Sequence, residues 1–322
     1  MGKAVITLAN TKEVYVGMAF ALARSFLYWN RDRGIDFHLV TDLDFSLPRD
    51  LKDIRVHRVS PGELGVGFAQ KLHLDTLAPA EQTLFIDADC LCLGPLSDVF
   101  DRFAGHAVSA FGEELGNGHW FGDIAPLCVR FGLPALPRLH GAVYYVEPGN
   151  KAAAVYARAR ALEPDYDAIG LVRLRGRPNE EILMSIAMAE LKETVLPDDD
   201  TVFNCIGRYP VIHELSVLDG ACRISNPARP HNLYNANWPI GRAAPRKIVH
   251  FHNAATDRWR YRNEALKLRL ILESGMPEFL ARSVATATVA FPGWSVEVAK
   301  NILRPTYRKL FGVRPIAPSK RI

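Results

Sequence analysis

The sequence predicts an α/β fold built on a doubly wound sheet, and two observations support this. Near the N-terminus, an apolar run, an amphipathic segment and a second apolar run follow one another at residues 4–8, 14–28 and 36–40. The order strand, helix, strand is the beginning of a doubly wound sheet. Further along, residues 83–86 form a short run of apolar, β-branched and aromatic side chains, which indicates a buried strand.

The remaining elements follow from the same periodicities. The alternating residues 54–59 predict a half-exposed strand, and the segment from 112 to 136, rich in glycine and aromatic residues, predicts a long irregular loop. Such a loop is typical of an acceptor-binding or lid element, or of a surface excursion. Further helices and strands are expected at residues 68–74 (helix), 106–111 (strand), 139–148 (strand), 151–162 (helix) and from 178 onward (helix).

Size and composition set the outer limits. With 322 residues, of which 48% are hydrophobic, the chain can bury the core of one α/β domain plus an appendage. The net charge of only +4 gives no electrostatic case for nucleic acid as a partner. The start at Met1 leads straight into a strand-like run and predicts no signal peptide, and no uncharged stretch approaches the ~20 residues that span a bilayer. We therefore expect a cytoplasmic protein.

The five cysteines match neither an even disulfide framework nor a zinc pattern. Two of them, Cys90 and Cys92, follow the buried strand at 83–86. We expect both to pack as small apolar residues.

Two aspartates, Asp87 and Asp89, directly follow the strand at 83–86. In an extended chain, side chains two residues apart point to the same side, so these carboxylates are expected to converge. Ligands of open α/β sheets usually bind beyond the carboxyl ends of the strands, and paired carboxylates suit Mg²⁺ or Mn²⁺. A pair of solvated acids at a strand end is the alternative, and the motif alone does not decide between them.

A histidine-containing strand is predicted at residues 247–253, where alternation places His250 and His252 on one face. A single histidine on a strand is usually a core or surface residue. Beside the Asp87–Asp89 pair, a metal role is favoured instead. A mixed set of carboxylate and imidazole ligands favours Mn²⁺ over Mg²⁺.

Over roughly residues 3–262, the sequence resembles the GT-A-type retaining glycosyltransferases of glycosyltransferase family 8, the glycogenin and lipopolysaccharide galactosyltransferase kind. The individual landmarks are weak, and their collinear order is the specific signal. The resemblance implies a GT-A-like (Rossmann-like), mixed and mainly parallel sheet flanked by helices. In chain order the landmarks are residues 4–10, Lys71, residues 87–89, residues 140–148, residues 179–183, residues 196–197 with Asn204, and residues 248–251.

The resemblance implies a metal-dependent hexosyltransferase that moves a sugar from UDP to a glycan or lipid-linked saccharide acceptor, with retention of configuration. The metal-binding positions of the family match Asp87, Asp89 and His250, which implies Mn²⁺, or Mg²⁺, bridging the diphosphate of the UDP-sugar. Ala88 lies between the two aspartates and belongs to the same donor site.

The nucleotide side of the donor site is implied by the loop after the first strand, which holds uracil and ribose in this family. Tyr15 follows this loop, and a role in capping the following helix or lining its first turn explains its presence as well as a nucleotide contact does. In this family, a basic residue at the position of Lys71 faces the diphosphate or the acceptor side of the donor sugar. The alternative is a solvated lysine, as most lysines in proteins are. The implied nucleotide contacts are Thr7, Ala9, Asn10 and Tyr15.

Two segments depart from the family at the sugar. His140 stands where the family has asparagine, and an imidazole cannot reproduce the donor and acceptor pair of a carboxamide, so the identity of the transferred sugar stays open. Asn179 and Glu180 occupy the positions of an aspartate and a glutamine near the anomeric carbon. Glu180 can act as a nucleophile or stabilise an oxocarbenium-like transition state. Helix capping by Asn179 and favourable charge in the first turn also explain this pair.

A third departure follows the histidine strand. The family has a lysine-proline pair before a tryptophan, and this chain keeps Trp259 but not the pair. Arg258 can take over the diphosphate contact of the lysine through its guanidinium fork. The acidic run at residues 198–200 is expected to be a solvated turn outside the site.

We expect two parts: a nucleotide-sugar-binding catalytic domain at residues 1–262 and a helical, basic tail at 263–322. From residue 300 onward the tail has seven cations, no acid and interleaved aromatic residues. This pattern predicts attachment to an anionic membrane surface, which would make the protein peripheral on the inner face of the membrane. A solvated C-terminus is the alternative.

Two other functions are compatible with parts of the sequence. One is an Asp-x-Asp phosphohydrolase with Asp87 as nucleophile, although such enzymes carry the acids near the N-terminus and have threonine or valine at the position of Leu91. The other is a non-catalytic module that binds sugar nucleotides, which the departures at His140, Asn179 and the lysine-proline site leave open.

Overall fold

A computed structural model describes residues 2–203, 211–225 and 246–313; the landmark Asn204 lies outside them. A seven-stranded sheet runs through the molecule in the order β3-β2-β1-β4-β7-β6-β8. All its neighbours are parallel except that β7 runs antiparallel to both β4 and β6. The predicted α/β class with a mixed, mainly parallel sheet is confirmed. The strands are β1 (Lys3–Leu8), β2 (Ile35–Thr41), β3 (Arg55–Arg58), β4 (Gln82–Ile86), β5 (Cys90–Cys92), β6 (Val108–Leu115), β7 (Leu136–Val146), β8 (Leu196–Pro197), β9 (Val202–Phe203), β10 (Val211–Ser216), β11 (Ala221–Ser225) and β12 (Ile248–His250).

Helices cover both faces of the sheet, and two apolar clusters form the core. The long first helix packs on one face around Leu22 and Phe26, and two later helices cover the other face around Tyr144 and Ile186. The helices are α1 (Glu13–Asn30), α2 (Leu74–Leu77), α3 (Ser97–Phe103), α4 (Ile124–Phe131), α5 (Asn150–Leu162), α6 (Tyr166–Ile169), α7 (Glu180–Glu190), α8 (Trp259–Leu272), α9 (Glu278–Ala285) and α10 (Phe291–Phe311).

One predicted element was wrong, and another was found as a different type of helix. The segment at 112–136 is not one irregular loop: β6 continues to Leu115, and α4 buries Ile124, Leu127 and Cys128 on one face. This spacing of i, i+3, i+4 is the helical period, and Gly132 ends the helix in the left-handed conformation. The predicted helix at 68–74 is a 3₁₀ helix, Gly67–His73, that leads into α2.

The C-terminal segment folds back onto the domain. Helix α8 crosses the predicted domain boundary at residue 262 and buries Leu268 completely. Glu273 forms an ion pair with Arg24 of α1, with 2.9 Å between Oε2 and Nη2. Beyond it, α9, a π-helical turn (Thr286–Ala290) and α10 form one continuous helical stretch. Within the described residues, no helix has the length and apolar character needed to cross a membrane.

Gly112 supplies a testable feature of this fold. It lies at an irregularity of β6, where a Cβ atom would come within 2.2 Å of the carbonyl oxygen of Arg138. We expect Gly112→Ala to lower the free energy of unfolding by about 1–3 kcal/mol, because a backbone atom cannot give way as a flexible side chain can.

The matched control is Gly17→Ala on α1, where nothing lies within 4 Å of the added Cβ. We expect this change to raise the free energy of unfolding by about 0.5–1 kcal/mol, since alanine loses less backbone entropy in a helix. Urea unfolding midpoints measure both. Equal midpoints for the two variants would contradict the packing argument.

Candidate functional site

The two aspartates of the motif converge through a turn. Strand β4 ends at Ile86, and the N–H of Asp87 donates to the carbonyl of Ala142 on β7 at 2.9 Å. The chain then reverses, because the N–H of Cys90 donates to the carbonyl of Asp87 at 2.9 Å. The predicted extended conformation was therefore wrong, although both carboxylates still face one region. A turn closed by an i to i+3 hydrogen bond brings residues two apart together without a pleat.

A small second sheet brings the histidine to this turn. Strand β12 pairs with β5 so that His250 lies opposite Cys90, and the N–H of Phe251 donates to the carbonyl of Asp89 at 2.9 Å. The Nε2 atom of His250 is 3.0 Å from Oδ1 of Asp89 and 4.0 Å from Oδ2 of Asp87. The structure thus brings together all three residues that the sequence predicts as metal ligands.

The opposite charges of His250 and Asp89 stabilise both side chains in their ionised forms. Burial by itself would lower the pKa of His250, but the attraction of the Asp89 carboxylate outweighs burial and raises it. Burial would likewise raise the pKa of Asp89, and His250 reverses that shift to a net lowering.

The donor set fits a divalent cation. Two carboxylates and an imidazole nitrogen are the ligand types that Mn²⁺ accepts. The potential ligand atoms of Asp89, Cys90 and His250 lie within 4.8 Å of one another. Cys90 is fully buried and belongs to the apolar core, as does Cys92, in agreement with the predicted packing.

Lys71 joins the metal-ligand turn to the start of α7. Its Nζ atom is 2.8 Å from Oδ2 of Asp87 and 3.1 Å from Oε1 of Glu180, and it donates to the carbonyl of Gly141 at 2.8 Å. Burial opposes the charge on this lysine, but Asp87 and Glu180 outweigh burial and raise its pKa. The ammonium group is therefore a fixed positive charge inside the site.

Glu180 is almost completely buried, and one of its oxygens has no hydrogen-bond partner. Oε1 faces Lys71, whereas Oε2 is without a partner among the residues that the structure describes. Burial, followed by repulsion from Glu181 and Asp87, raises the pKa of Glu180 to about 7 against the pull of Lys71. Buried acceptors are nearly always satisfied, so this oxygen is available to accept a hydrogen bond from a bound molecule.

Asn179 serves as the N-cap of α7. Its side-chain oxygen accepts from the N–H of Glu181 at 2.8 Å. Glu181, which sequence reasoning missed, accepts from the N–H of Gly141 at 2.8 Å. A Cβ atom on Gly141 would lie 2.6 Å from Oε1 of Glu181 and 2.9 Å from Oε1 of Glu180, so strand β7 and helix α7 approach closely only with glycine there.

His140, next to Gly141, contacts a residue that was expected outside the site. Its Nε2 atom is 2.5 Å from Oδ2 of Asp198, and this bond lowers the pKa of Asp198 even though burial opposes it. The parallel pairing of the short strand β8 with β6 holds Asp198 there. Both residues line a cavity of about 440 Å³, together with Glu113, Glu114 and Arg138. In the sequence, the landmark at residues 196–197 directly precedes Asp198 and could have indicated that this residue lies near the site.

The residues predicted to contact the nucleotide lie at the end of β1. Thr7 and Ala9 are fully buried, and the hydroxyl of Thr7 has no partner among the described residues. The side chain of Asn10 accepts from the N–H of Asp42 at 3.0 Å and donates to Gln70 at 3.1 Å. Gln70 precedes Lys71 on the same 3₁₀ helix, so the loop after β1 is tied to the lysine.

The other candidates lie at the edge of this group or outside it. Tyr15 is half-buried in the first turn of α1, and Ala88 is buried within the aspartate turn. The His252 ring lies 5.4 Å from that of His250. Arg258 is exposed at the start of α8, and its charge is one of several that lower the pKa of Glu297 on α10.

Comparisons with known proteins give similarity at the level of solved structures. No protein-family model and no curated protein sequence matches the chain. The galactosyltransferase LgtC, solved in complex with donor and acceptor sugar analogs, is 14% identical with a TM-score of 0.49, and the match covers 85% of this chain and 98% of that one.

Two further similar structures are glycosyltransferases in the apo form. GlyE from Streptococcus pneumoniae TIGR4 is 12% identical with a TM-score of 0.42, covering 63% of this chain and 47% of GlyE. The bifunctional WbbM is 11% identical with a TM-score of 0.42, covering 61% of this chain and 38% of WbbM. The chain therefore spans less than half the length of either protein.

Proposed function

We propose that the protein is a metal-dependent glycosyltransferase that moves a hexose from a UDP-sugar to a glycan or lipid-linked saccharide, with retention of configuration. One observation carries this proposal: Asp87, Asp89 and His250, from two distant segments, converge beyond the end of a central strand. The region beyond the carboxyl ends of the strands is where ligands of open α/β sheets bind.

The donor is held by four groups of residues. Asp87, Asp89 and His250 would hold Mn²⁺, or Mg²⁺, and the bound cation supplies Lewis-acid stabilisation of the charge on the leaving diphosphate. Lys71 presents its ammonium group beside this set. Four residues bind the nucleotide at the end of β1, with Ala88 in the aspartate turn beside them: Thr7, Ala9, Asn10 and Tyr15. Arg258 contacts the diphosphate from the segment after β12.

The sugar lies between His140 and the start of α7. Glu180 faces it with a free oxygen in a buried environment, where a carboxylate stabilises positive charge at the anomeric carbon more strongly than in water. Glu180 acts either through this charge or as a nucleophile that forms a glycosyl-enzyme. Asn179 positions Glu180 by capping the helix that carries it.

The acceptor and the location of the protein follow from two surfaces. The cavity beside His140 is within the size range of small-molecule sites and receives the acceptor saccharide. Helix α10 exposes two aromatic residues, Phe291 and Trp294, and two cations, Lys300 and Arg304. This combination suits the anionic inner face of a membrane, where a lipid-linked acceptor would lie.

Replacement of a metal ligand tests the reaction. We expect wild-type protein to release UDP from a UDP-hexose in the presence of Mn²⁺, and Asp89→Asn to lower that rate at least 100-fold, because the cation loses a charged ligand. The control is Asp53→Asn, which neutralises an exposed aspartate in the turn before β3. A donor screen by UDP release identifies the sugar.

The same assay separates the alternatives. Phosphate release from p-nitrophenyl phosphate without UDP release would indicate a phosphohydrolase. A Mn²⁺-dependent rise in melting temperature with UDP-sugar but no turnover would indicate a binding module.

The ionisation of Glu180 gives a pH dependence. Its pKa is raised to about 7, so the carboxylate is charged above that pH and neutral below it. A bound divalent cation would lower this pKa, so at saturating Mn²⁺ we expect kcat to fall about tenfold per pH unit on the acid side of a pKa below 7, because protonation removes the negative charge. Glu180→Gln should lower kcat and flatten this limb. Rates measured from pH 5 to 9 at saturating donor and Mn²⁺ test this, and an unchanged acid limb in the variant would assign it elsewhere.

The membrane surface is tested with vesicles. We expect the double variant Lys300→Gln, Arg304→Gln to bind phosphatidylglycerol vesicles roughly 30-fold more weakly, since each cation near an anionic surface contributes about 1 kcal/mol. The matched control, Lys52→Gln, removes an exposed cation beside β3. Co-sedimentation with anionic and with neutral vesicles gives the result. Equal binding of variant and wild type to anionic vesicles rejects the surface.

A further inference from the structure

A short arginine-rich hairpin lies immediately before α7. Leu174 and Arg177 exchange backbone hydrogen bonds of 2.9 and 3.1 Å, which makes Arg175 and Gly176 the two residues at the tip. Their φ angles are +54° and +78°. Successive left-handed residues are the requirement of a type I′ turn, where asparagine, aspartate or glycine is preferred at the first position. The turn itself therefore gives no reason for arginine at position 175, and such departures are concentrated at functional sites.

The first arginine of the hairpin holds the loop in place. Arg173 donates from Nε and Nη2 to the two carboxylate oxygens of Asp167, both at 2.8 Å. Its Nη1 atom donates to the carbonyl of Gly176 at 3.3 Å. Arg173 is thus neutralised and fixes the tip to α6. The hairpin is consequently a preformed element, and a ligand would not have to order it.

The other two arginines lack a counterion within the part of the chain that the structure describes. In residues 2–203, 211–225 and 246–313, no carboxylate forms an ion pair with Arg175 or Arg177. Arg177 is half-buried, and its side chain lies against Gly67, where a Cβ atom would come within 2.8 Å of Nη1 and 3.1 Å of Cδ. A partly desolvated guanidinium without an anion is an unfavourable arrangement that a bound oxyanion would relieve.

Arg175 and Arg177 lie near the residues of the candidate site. Gly67 begins the 3₁₀ helix that carries Lys71, and four residues of such a helix span about 8 Å. Arg177 also precedes Glu180 by three residues along the chain. The α-carbons of Arg175 and Arg177 are at most about 7 Å apart, so both guanidinium groups can reach one ligand group. That group would lie at the rim of the site, away from the aspartate turn.

We propose that this hairpin binds a phosphate group on the acceptor, an inference that rests on the glycosyl transfer proposed above. Two uncompensated guanidinium groups match the two charges of a phosphomonoester better than the single charge of a carboxylate. The planar fork of arginine suits the phosphate oxygens. The phosphate belongs either to a phosphorylated saccharide or to a lipid headgroup.

Direct binding tests the hairpin with the donor site filled. Glucose 6-phosphate, glucuronate and glucose are titrated by calorimetry into full-length protein with saturating UDP and Mn²⁺. We expect glucose 6-phosphate to bind wild type most tightly and to lose at least tenfold in affinity in the double variant Arg175→Gln, Arg177→Gln. Arg177→Lys, which keeps the charge but not the fork, should fall between them. The control Arg31→Gln removes an exposed arginine at the far end of α1 and should bind like wild type.

A second arm identifies the source of the phosphate. Loss of binding to vesicles containing phosphatidic acid in the double variant, but not in Arg31→Gln, indicates a lipid headgroup. Loss of glucose 6-phosphate binding alone indicates a phosphorylated saccharide. The proposal is overturned if wild type binds none of the probes, if glucuronate or glucose binds as tightly as glucose 6-phosphate, or if the double variant binds every probe like wild type.

UDP release from the donor separates this inference from the reaction itself. The double variant should release UDP at the wild-type rate in the absence of acceptor, because among the described residues no hydrogen bond or ion pair joins either arginine to the aspartate turn. Normal UDP release with unaltered probe binding rejects the hairpin and leaves the transferase. Absence of UDP release in wild type, with phosphate binding lost in the double variant, rejects the transferase and supports the anion site.

Discussion

The ammonium group of Lys71 is the constraint on which the rest of the site depends. Four carboxylates (Asp87, Asp89, Glu180 and Glu181) meet in one buried region, and like charges this close strongly oppose a common ionised state. Lys71 bonds to two of them and to the backbone of β7, so a single half-buried cation joins the aspartate turn, the start of α7 and the antiparallel strand. Removing one partner of a buried charge cluster is far more costly than removing a surface pair.

Even with Lys71 and His250 charged, negative groups outnumber positive ones in this region. The excess explains why burial and mutual repulsion raise the pKa values of Asp87, Glu180 and Glu181. A divalent cation between Asp87, Asp89 and His250 would remove most of the excess. The electrostatics of the side chains therefore favour a bound cation independently of any resemblance to a family.

The sequence predicted those parts of the fold that local periodicity determines. Helix α1 and strands β1, β2, β4 and β7 follow from apolar patterns and were found within a few residues of the expected bounds. The pairing of the aspartate turn with His250 followed from the order of landmarks. Helix α4 was missed because the glycines and aromatic residues around it hid a short apolar period of i, i+3, i+4.

What the sequence could not supply were contacts that depend on backbone geometry and on distant pairing. The extended conformation expected at residues 87–89 gave way to a turn, since the N–H of Asp87 is used by β7 and that of Cys90 closes back on Asp87. The contact of Asp198 with His140 depends on a strand only two residues long, which no local pattern reveals. The packing of Arg177 against Gly67 likewise joins two residues that are far apart along the chain.

Negative charge is concentrated at the centre of the site, and positive charge lies outside it. This separation bears on the order in which charged ligands would bind. The centre is acidic and attracts a divalent cation, whereas Arg175, Arg177 and the exposed basic residues of α10 offer positive charge outside it. An anionic nucleotide alone would be repelled by the carboxylates and attracted by the rim. In the proposed transferase, a nucleotide would therefore enter the centre together with a cation, and a phosphorylated acceptor would be held at the rim. A modest net charge of +4 conceals this separation, which arises only when the fold brings the carboxylates together.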